Sequence, residues 1–535
     1  MAERQYDSFA RDHLPPRELW PDLRFDLIPE LSYPARLNAA TELLDRNIME
    51  GRGDNVALRW PGGQWSYDEL LAKANSIANV LVNEYGLTPG QRVLLRAPNN
   101  AMLAACWFAV LKAGGIVVCT MPLLRTRELH YILGHARINL SICDDRFTTD
   151  LDEAISQAST IPNVTFSSLE NNPGPATFEN VVTYGDDVAL IAYTSGTTGE
   201  PKATVHFHRD ILAICDTFPR YVLKANTNDI FCGSPPLAFT FGLGGLLIFP
   251  MHIGASTLLL EQAAPPQLIE AIHTQRPTVV FTSPTAYRAM LLKTGDYDVS
   301  SLKKCVSAGE TLPLATFEAW KAATGIEIID GIGSTEMLHI FISASGPDIR
   351  PGATGRAVPG YEARIVDEEM NELPIGEIGK LAVRGPTGCR YLGNDERQRG
   401  YVKNGWNLTG DAYRMDGDGY FWYQARTDDM IVSSGYNISG PEVENVLLEH
   451  PAVLECGVVG VANADRGHIV KAFIVLRTGV AESDELIREL QDYVKQQIAP
   501  YKYPRSIQFM KALPRTSTGK LQRFRLRDLD PASAT

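Results

Sequence analysis

The chain has 535 residues, with 63 acidic and 50 basic side chains and a formal net charge of −13 at pH 7. Because a single hydrophobic core stops growing near about 250–300 residues, this length predicts at least two domains. The acidic balance and the lack of a long basic run argue against nucleic acid or an anionic membrane as the main partner.

The eight cysteines form no Cys-x-x-Cys pair, which favours reduced thiols in a cytoplasmic protein. The first seven residues are too polar for a secretory signal. The longest apolar region, 241–260, is interrupted by Pro250 and His252 and is therefore expected to be core rather than a membrane span. We expect a soluble protein with no membrane partner.

Helical and strand patterns alternate through the first half of the chain. Ser66 is a candidate N-cap for one of these helices. The first predicted elements are helices over 35–47, 70–84 and 101–113, and strands over 93–95 and 116–119. The same alternation returns over 206–292 and 305–329, which predicts parallel sheets with helices on both faces.

The pattern changes in the last third of the chain. Between residues 352 and 423, short strands separated by Gly-, Pro- and Asp-rich turns predict a small β-rich subdomain. The remaining elements are helices over 442–449 and 483–498 and strands over 453–461, 471–477 and 506–510. They are enough for a small α+β domain.

Residues 193–202 read Tyr-Thr-Ser-Gly-Thr-Thr-Gly-Glu-Pro-Lys and follow the buried-strand pattern of 188–192. The two glycines let successive backbone N–H groups converge on an anion. The hydroxyl side chains add donors, and Lys202 adds a positive charge. The spacing is not that of a Walker A loop. On its own the stretch has two interpretations, a phosphate loop or an ordinary Ser/Thr/Gly-rich surface turn.

Five further segments favour the phosphate loop. They are 236–242 (Pro-Leu-Ala-Phe-Thr-Phe-Gly), 330–336 (Asp-Gly-Ile-Gly-Ser-Thr-Glu), 409–411 (Thr-Gly-Asp), 426–429 (Arg-Thr-Asp-Asp) and 514–520 (Pro-Arg-Thr-Ser-Thr-Gly-Lys). In this order they resemble the signature motifs of the adenylate-forming superfamily, which includes acyl- and aryl-CoA ligases, luciferases and peptide-synthetase adenylation domains.

The resemblance implies an α/β fold in two parts. Residues 1–427 would form a large N-terminal adenylation domain of two doubly wound α/β subdomains plus a small β-rich subdomain. Residues 428–535 would form a small mobile α+β lid domain, with the hinge at Asp428. Such an enzyme joins a carboxylate to AMP from ATP and then to coenzyme A.

The resemblance also assigns the nucleotide site. Glu336 would bind Mg²⁺, which takes few protein ligands when phosphate oxygens supply the others. Asp411 would accept hydrogen bonds from the ribose hydroxyls. The ATP and AMP residues it implies are Thr194, Ser195, Gly196, Thr197, Thr198, Gly199, Lys202, Gly309, Glu310, Asp330, Gly331, Ile332, Thr335, Asp411, Tyr423 and Arg426.

The implied catalytic residues are Lys520, Glu336 and Thr335. Lys520 would stabilise the negative charge that develops as the carboxylate attacks the α-phosphorus. A rotation about Asp428 would then remove Lys520 and present a second face of the lid to the pantetheine of coenzyme A. The residues of that implied channel are Ser433, Ser434, Gly435 and Tyr436.

The acid that is activated is predicted to be aromatic. Residues 331–341 look like the benzoate–CoA ligase branch, and residues 9–16 and 234–243 are similar to 2-aminobenzoate (anthranilate)–CoA ligases. Aromatic walls and small residues would form a slot for a ring. The predicted pocket comprises Phe239, Thr240, Phe241, Ala308, Gly309, Ile332, Gly333 and His339.

Thr240 and His339 are the nearest polar candidates for an ortho amino group. The alternative for His339 is a core histidine whose hydrogen bonds are satisfied within the protein. Relatives that activate α-amino acids have an aspartate at the position of Phe239, where it pairs with the ammonium. Phe239 therefore argues against an α-amino acid, because an unpaired buried ammonium is costly.

Several hypotheses remain open from the sequence. The acid is 2-aminobenzoate or, with broader specificity, benzoate, and the acceptor is free coenzyme A or the pantetheine of a separate acyl carrier protein. A non-catalytic nucleotide-binding protein is disfavoured because Lys520, Glu336 and Asp411 are all present. The oligomeric state is expected to be a monomer or a homodimer.

Overall fold

The computed structural model describes residues 6–158, 161–194, 201–426, 429–433, 436–463, 467–498, 500–515 and 521–529. Fifteen of the described strands build two large sheets. They are β1 (Val56–Trp60), β2 (Gly63–Ser66), β3 (Arg92–Arg96), β4 (Ile116–Thr120), β5 (Leu140–Cys143), β6 (Asn163–Thr165), β7 (Val188–Thr194), β8 (Lys202–Phe207), β9 (Ile230–Gly233), β10 (Ser256–Leu258), β11 (Val279–Thr282), β12 (Lys304–Ala308), β13 (Ile328–Gly333), β14 (Ile340–Ser343) and β15 (Arg356–Ala357).

The two large sheets have parallel centres, and their edges are antiparallel except at β6, which pairs in parallel with β5. The strand order is β6-β5-β3-β4-β7-β8 in one sheet and β15-β14-β13-β12-β11-β9-β10-β1-β2 in the other. The central pairs are parallel, as the alternation of helix and strand predicts. The pairs β7–β8 and β13–β14 are antiparallel because their connections are too short for the crossover that a parallel pair needs.

Two smaller sheets follow along the chain. The first contains β16 (Glu362–Val366), β17 (Ile378–Arg384), β18 (Val402–Lys403), β19 (Trp406–Met415) and β20 (Phe421–Arg426). It is the β-rich subdomain that the turn-rich sequence predicts. The second contains β21 (Ile431–Ser433), β22 (Tyr436–Ile438), β23 (Val453–Asn463), β24 (Gly467–Leu476) and β25 (Ser506–Phe509).

Helices cover the sheets. They are α1 (Phe9–Asp12), α2 (Arg46–Met49), α3 (Tyr67–Asn83), α4 (Ala101–Lys112), α5 (Thr126–His135), α6 (Thr148–Ala158), α7 (Phe166–Asn171), α8 (His208–Cys215), α9 (Thr240–Leu243), α10 (Phe249–Ile253), α11 (Pro265–Gln275), α12 (Pro284–Leu291), α13 (Leu314–Thr324), α14 (Asp395–Tyr401), α15 (Gly440–Glu449), α16 (Asp484–Gln497) and α17 (Arg523–Asp528). Ser66 caps α3 in a capping box with Glu69, as predicted.

The first predicted helix is wrong at its start. Residues 35–38 are not helical, because Arg36 bridges Tyr184 and the Leu37 N–H donates to the Thr183 carbonyl. The helical turns run over 39–49, where the Asn38 side chain accepts from the Ala40 N–H at 3.0 Å. Pairing with a distant segment therefore overrides the local helical pattern.

The buried apolar side chains form separate clusters. The largest cluster runs from Leu37 to Phe421 and joins the two large sheets to the small β-rich sheet. Two clusters belong entirely to residues 431–526 and pack α15, α16 and α17 against the last sheet. The C-terminal segment thus has its own core. The boundary between residues 427 and 428 stays a prediction, since both lie outside the described residues.

Candidate active site

Strands β7 and β8 bring the ends of the predicted phosphate loop together. Thr194 and Lys202 are paired across this hairpin. Burial lowers the pKa of the Lys202 ammonium, Arg397 acts in the same direction, and the Glu336 carboxylate opposes the shift. Residues 195–199, which contain Ser195, Gly196, Thr197, Thr198 and Gly199, lie outside the described residues, so their contact with phosphate stays a prediction.

Glu336, the predicted metal ligand, lies close to this hairpin and is 9% exposed. Its Oε1 accepts a hydrogen bond from the Tyr391 hydroxyl at 2.7 Å. The carbonyl of the preceding residue, Thr335, lies 2.8 Å from Nε2 of His206 on β8. Burial lowers the pKa of His206 to about 3, so its ring is neutral and donates from Nε2 to that carbonyl.

Three of the predicted ATP residues lie on the neighbouring strands β19 and β20. Asp411 and Arg426 are register partners, with Arg426 Nη1 3.0 Å from Asp411 Oδ1. Gly410, which precedes Asp411, has a φ of +76°, and a Cβ there would lie 2.8 Å from Arg426 Nη2. Tyr423 lies on the same strand as Arg426, with its ring against that of Tyr413. The structure thus brings Asp411, Tyr423 and Arg426 together.

A wall of predicted ATP residues lies where β12 and β13 end side by side. Ala308 is paired with Gly331, and Ser307 with Asp330. Oδ1 of Asp330 is buried with no hydrogen-bond partner among the described residues. Burial raises the pKa of this carboxyl to about 8. A buried oxygen of this kind is suited to accept a hydrogen bond from a ligand.

The loop after β12 continues this wall. Gly309 has a φ of +87°, a conformation that favours glycine. Glu310 accepts from the Thr285 hydroxyl at 2.7 Å and from its N–H at 3.3 Å. Ile332 and Gly333 end β13 at a β-bulge, and a Cβ on Gly333 would lie 2.7 Å from the His339 carbonyl oxygen. Backbone conformation thus favours glycine at 309, and lack of space favours it at 333.

His339 lies in an aromatic enclosure next to this wall. Four phenylalanine rings surround its imidazole, at centroid distances of 5.7, 5.7, 4.5 and 6.3 Å; they belong to Phe218, Phe241, Phe249 and Phe281. The side chain is buried, and neither ring nitrogen has a hydrogen-bond partner among the residues described. The alternative of a core histidine bonded within the protein stays open, because the backbone of Phe241 also interacts with this imidazole.

Burial lowers the pKa of His339 to about 3, and the backbone of Phe241 opposes the shift. The imidazole is therefore neutral at pH 7, with one nitrogen that donates and one that accepts. Gly244, in the π-helical turn Gly244–Ile248 between α9 and α10, makes room for it. A Cβ on Gly244 would lie 2.4 Å from Cδ2 of His339.

The other predicted acyl residues begin the same helical segment. Phe239 is the N-cap of α9 and is half-buried, and Thr240 is its first residue and is buried. Phe241 packs against both His339 and Phe281. The structure therefore places Phe241 and His339 in direct contact, and Thr240 one residue from that contact.

The predicted lid residues are only partly covered. Asp428, Ser434, Gly435 and Lys520 lie outside the described residues, and of Tyr436 only the backbone is described. Ser433 ends β21, is 3% exposed and pairs with Tyr436 across a hairpin. The hinge, the coenzyme A channel and the catalytic lysine stay predictions.

Sequence reasoning missed several residues of the site. His206, Phe218, Phe249, Phe281 and Tyr391 are far from the motifs that they contact. They follow ordinary buried patterns in strands, helices and loops, so no local spacing distinguishes them from core residues. The one available signal was that Phe218, Phe249 and Phe281 fall in apolar segments that flank the motif at 236–242.

The sequence matches known families over most of its length. The profile of the AMP-binding enzyme family matches residues 45–391, and that of the AMP-binding enzyme C-terminal domain matches residues 442–520. The benzoate–CoA ligase of Thauera aromatica is 35% identical over 93% of this chain and 97% of its own. The 4-hydroxybenzoate–CoA/benzoate–CoA ligase of Rhodopseudomonas palustris is 32% identical over 92% and 94%.

Solved structures are similar throughout. The anthranilate CoA ligase AuaEII in complex with anthranoyl-AMP has a TM-score of 0.89 at 36% identity, covering 94% of this chain and 98% of that one. A benzoate CoA ligase from Burkholderia xenovorans has a TM-score of 0.84 at 34% identity, covering 92% and 99%. In the described part of this chain, no helix is long and apolar enough to cross a membrane.

Proposed function

The chain belongs to the AMP-binding, adenylate-forming enzyme family and is an acid–thiol ligase, and we propose that it makes an aryl-CoA thioester, with 2-aminobenzoate as its preferred acid. One observation carries the choice of acid. The neutral imidazole of His339 is enclosed by four phenylalanine rings and has no hydrogen-bond partner among the described residues. The rings suit an aromatic acid, and the imidazole suits a polar group on its ring.

The energetics favour a substituted ring over benzoate. A buried polar group left unpaired costs about 1–3 kcal/mol. An ortho amino group can donate an N–H to the unprotonated nitrogen of His339, which keeps its lone pair at pH 7 because its pKa is about 3. Thr240, buried at the start of α9, is a second candidate for the same group. Benzoate offers neither residue a partner.

In the first half-reaction, a carboxylate oxygen attacks the α-phosphorus of ATP, the bond to the bridging oxygen breaks, and pyrophosphate leaves. We assign the phosphates to Lys202 and the loop before it, the ribose to Asp411 and Arg426, and the adenine to the wall around Asp330. Lys520 would hold the attacking oxygen and the α-phosphate together. Its charge would stabilise the transition state more than the ground state.

Glu336 is the residue that would bind Mg²⁺. Its carboxylate provides the hard oxygen ligand that this ion prefers, and it is held in place by Tyr391. The described residues contain no group of three or more His, Cys, Asp or Glu side chains that could hold a metal. A single carboxylate fits Mg²⁺ when the nucleotide supplies the other oxygens. Bound there, the ion would neutralise phosphate charge.

In the second half-reaction, the thiolate of coenzyme A attacks the acyl carbon, the bond to the phosphate oxygen breaks, and AMP leaves. We propose that the lid, residues 428–535, rotates about Asp428 between the two steps, exchanging Lys520 for the surface around Ser433, Ser434, Gly435 and Tyr436. Ion pairs that involve Arg515, in the same motif as Lys520, support the lid position that serves the first half-reaction. Glu455 bridges Arg288 of α12 at 3.2 Å and Arg515 at 3.0 Å.

The substrate proposal is tested by AMP release from purified protein with ATP, Mg²⁺ and coenzyme A. The acids are benzoate, 2-aminobenzoate, 2-hydroxybenzoate, a medium-chain fatty acid and an α-amino acid, compared by kcat/KM. We expect 2-aminobenzoate to exceed benzoate by roughly 10-fold or more, from the cost of an unpaired imidazole. Equal or better use of benzoate would contradict the proposal.

The acceptor is tested in the same assay by omitting coenzyme A. We expect AMP release that depends on coenzyme A and a thioester product that accumulates with it. Formation of aryl-AMP without such turnover would contradict free coenzyme A as acceptor. It would indicate the pantetheine of a separate carrier protein.

A further inference from the structure

The last three residues of the motif at 330–336, which contains the proposed metal ligand Glu336, each contact a different side chain. The Ser334 hydroxyl lies 3.5 Å from the Tyr401 hydroxyl, the Thr335 carbonyl accepts from His206, and Glu336 Oε1 accepts from Tyr391. Among these contacts, the one to Glu336 is the shortest at 2.7 Å, and it involves the carboxylate itself. Tyr391 is 1% exposed, so water cannot easily replace its hydroxyl.

The backbone of Tyr391 is fixed from two sides. Tyr391 bridges Thr204 of β8, and this pairing is extended by hydrogen bonds from the Val205 N–H to the Arg390 carbonyl and from the Leu392 N–H to the Ala203 carbonyl. The Tyr391 N–H itself donates to Oε1 of Gln398 on α14 at 2.9 Å. The residue is therefore attached to the strand that leads out of the predicted phosphate loop.

The ring of Tyr391 has little freedom to move. It packs edge-on against Tyr401 at a centroid distance of 5.8 Å, within a small buried cluster with Cys389 and Val402. A hydroxyl on a ring fixed in this way is a preorganised donor, because little conformational entropy is lost when it bonds. The hydrogen bond to an ionised carboxylate is also of the stronger, charge-assisted kind.

We propose that Tyr391 is a positioning residue for the metal and nucleotide: its hydroxyl holds Oε1 of Glu336 and so leaves Oε2 to bind the Mg²⁺ that accompanies ATP. This inference rests on the proposed role of Glu336, and it is independent of which acid is activated. The same side chain couples the carboxylate to β8, so that the metal ligand and the phosphate loop keep one relative position.

The variant Tyr391→Phe removes only the hydroxyl. ATP binding is measured by calorimetry at increasing Mg²⁺, without any acid, for this variant and the wild type. We expect the Mg²⁺-dependent part of ATP affinity to fall roughly 10- to 150-fold, from the loss of one hydrogen bond to a charged group. ATP affinity without Mg²⁺ should change less than twofold. Because no acid is present, an incorrect substrate assignment cannot affect this result.

A matched control is Tyr287→Phe. Tyr287 is equally buried and donates to the carbonyls of Val306 and Val280, at 3.1 and 3.3 Å. The Tyr287→Phe variant should lose about as much folding stability as Tyr391→Phe. Its ATP affinity should depend on Mg²⁺ as it does in the wild type. An unchanged titration in Tyr391→Phe, or an equal change in Tyr287→Phe, would overturn the proposal.

A double-mutant cycle tests whether Tyr391 acts through Glu336. In a Glu336→Gln background, adding Tyr391→Phe should change the Mg²⁺-dependent affinity by less than twofold, because the group that it positions is already altered. Additive losses would show that Tyr391 acts independently of Glu336 and would overturn the proposal. With Glu336 intact, Tyr391→Phe should lower the rate of pyrophosphate exchange together with the ATP affinity. The rate of thioester formation from supplied aryl-AMP should stay unchanged.

Discussion

At the phosphate and ribose end of the candidate site, each acidic group already has a partner within the protein. Glu336 accepts from Tyr391, and Asp411 pairs with Arg426. At the two ends proposed for the adenine and for the acyl ring, three buried polar atoms have no hydrogen-bond partner among the described residues. They are Oδ1 of Asp330 and both ring nitrogens of His339. The groups proposed to bind charge are thus fixed before the ligand arrives, whereas the groups proposed to recognise a ring are left for the ligand to pair.

This difference predicts two kinds of variant. A change at the phosphate end should slow adenylation of every acid by the same factor, because all acids share ATP. A change at the acyl end should alter the ratio between acids, because it removes a partner that only some of them use. The following variants test these expectations, in order of decreasing effect.

Lys520→Ala should give the largest effect. We expect adenylate formation, measured by pyrophosphate exchange, to fall roughly 10²- to 10³-fold, since one preorganised electrostatic contact to the transition state is lost. The factor should be the same for benzoate and 2-aminobenzoate. Thioester formation from supplied aryl-AMP should be largely kept.

The control for that variant is Lys511→Ala, an exposed lysine of the same C-terminal segment. It should leave both half-reactions unchanged. Equal loss of both half-reactions in Lys520→Ala would refute the division of labour between two positions of the lid.

Gly244→Ala should disturb the acyl end. The added Cβ would lie 2.4 Å from Cδ2 of His339, so the imidazole or the π-helical turn must move. Such overpacking costs about 1–3 kcal/mol. We expect kcat/KM for 2-aminobenzoate to fall roughly 10-fold. The ratio of this kcat/KM to that for benzoate should also decrease. Gly134→Ala, on α5 with nothing within 4 Å of its Cβ, is the helical control and should keep the ratio.

Asp330→Asn should have the smallest effect, on the pH dependence of stability. Burial raises the pKa of Asp330 to about 8 from its usual 3.8, so the folded protein binds more protons than the unfolded chain between these values. The contribution of the Asp330 carboxyl to the free energy of unfolding therefore decreases as the pH rises through that range. Thermal unfolding from pH 5 to 8.5 should show the wild type losing stability relative to Asp330→Asn. A constant difference would show that this carboxyl ionises normally.

The architecture could be predicted from the sequence because it depends on repeated local signals. Apolar strand runs, the Ser66 cap and the turn-rich tract each specify their own element, and the parallel centres of the large sheets follow from helix–strand alternation. The helix at 35–47 failed at its start because Arg36 pairs with Tyr184, a contact that no local pattern records.

Candidate site residues could be named from the sequence only where motifs exist. Glu336, Asp411 and Arg426 belong to short strings whose order along the chain identifies the family. Tyr391 and the rings around His339 do not, because they reach the site through sheet pairing and core packing. The unpaired state of His339 is a property of its whole enclosure, so no sequence pattern could have separated it from an ordinary core histidine.

The central claim is that His339 recognises the ortho amino group, and a substrate–variant cycle tests it most directly. The measured quantity is the ratio of kcat/KM for 2-aminobenzoate to that for benzoate, in wild type and in His339→Leu. Phe249→Leu is the control, because that ring lies 4.5 Å from the imidazole and carries no polar atom.

We expect the ratio to fall roughly 10- to 100-fold in His339→Leu, with benzoate used as well as before or better, since an unpaired polar group has been removed. In Phe249→Leu, both acids should lose activity together and the ratio should stay near that of the wild type. An unchanged ratio in His339→Leu, or an equal fall in both variants, would contradict the assignment of His339 to the amino group.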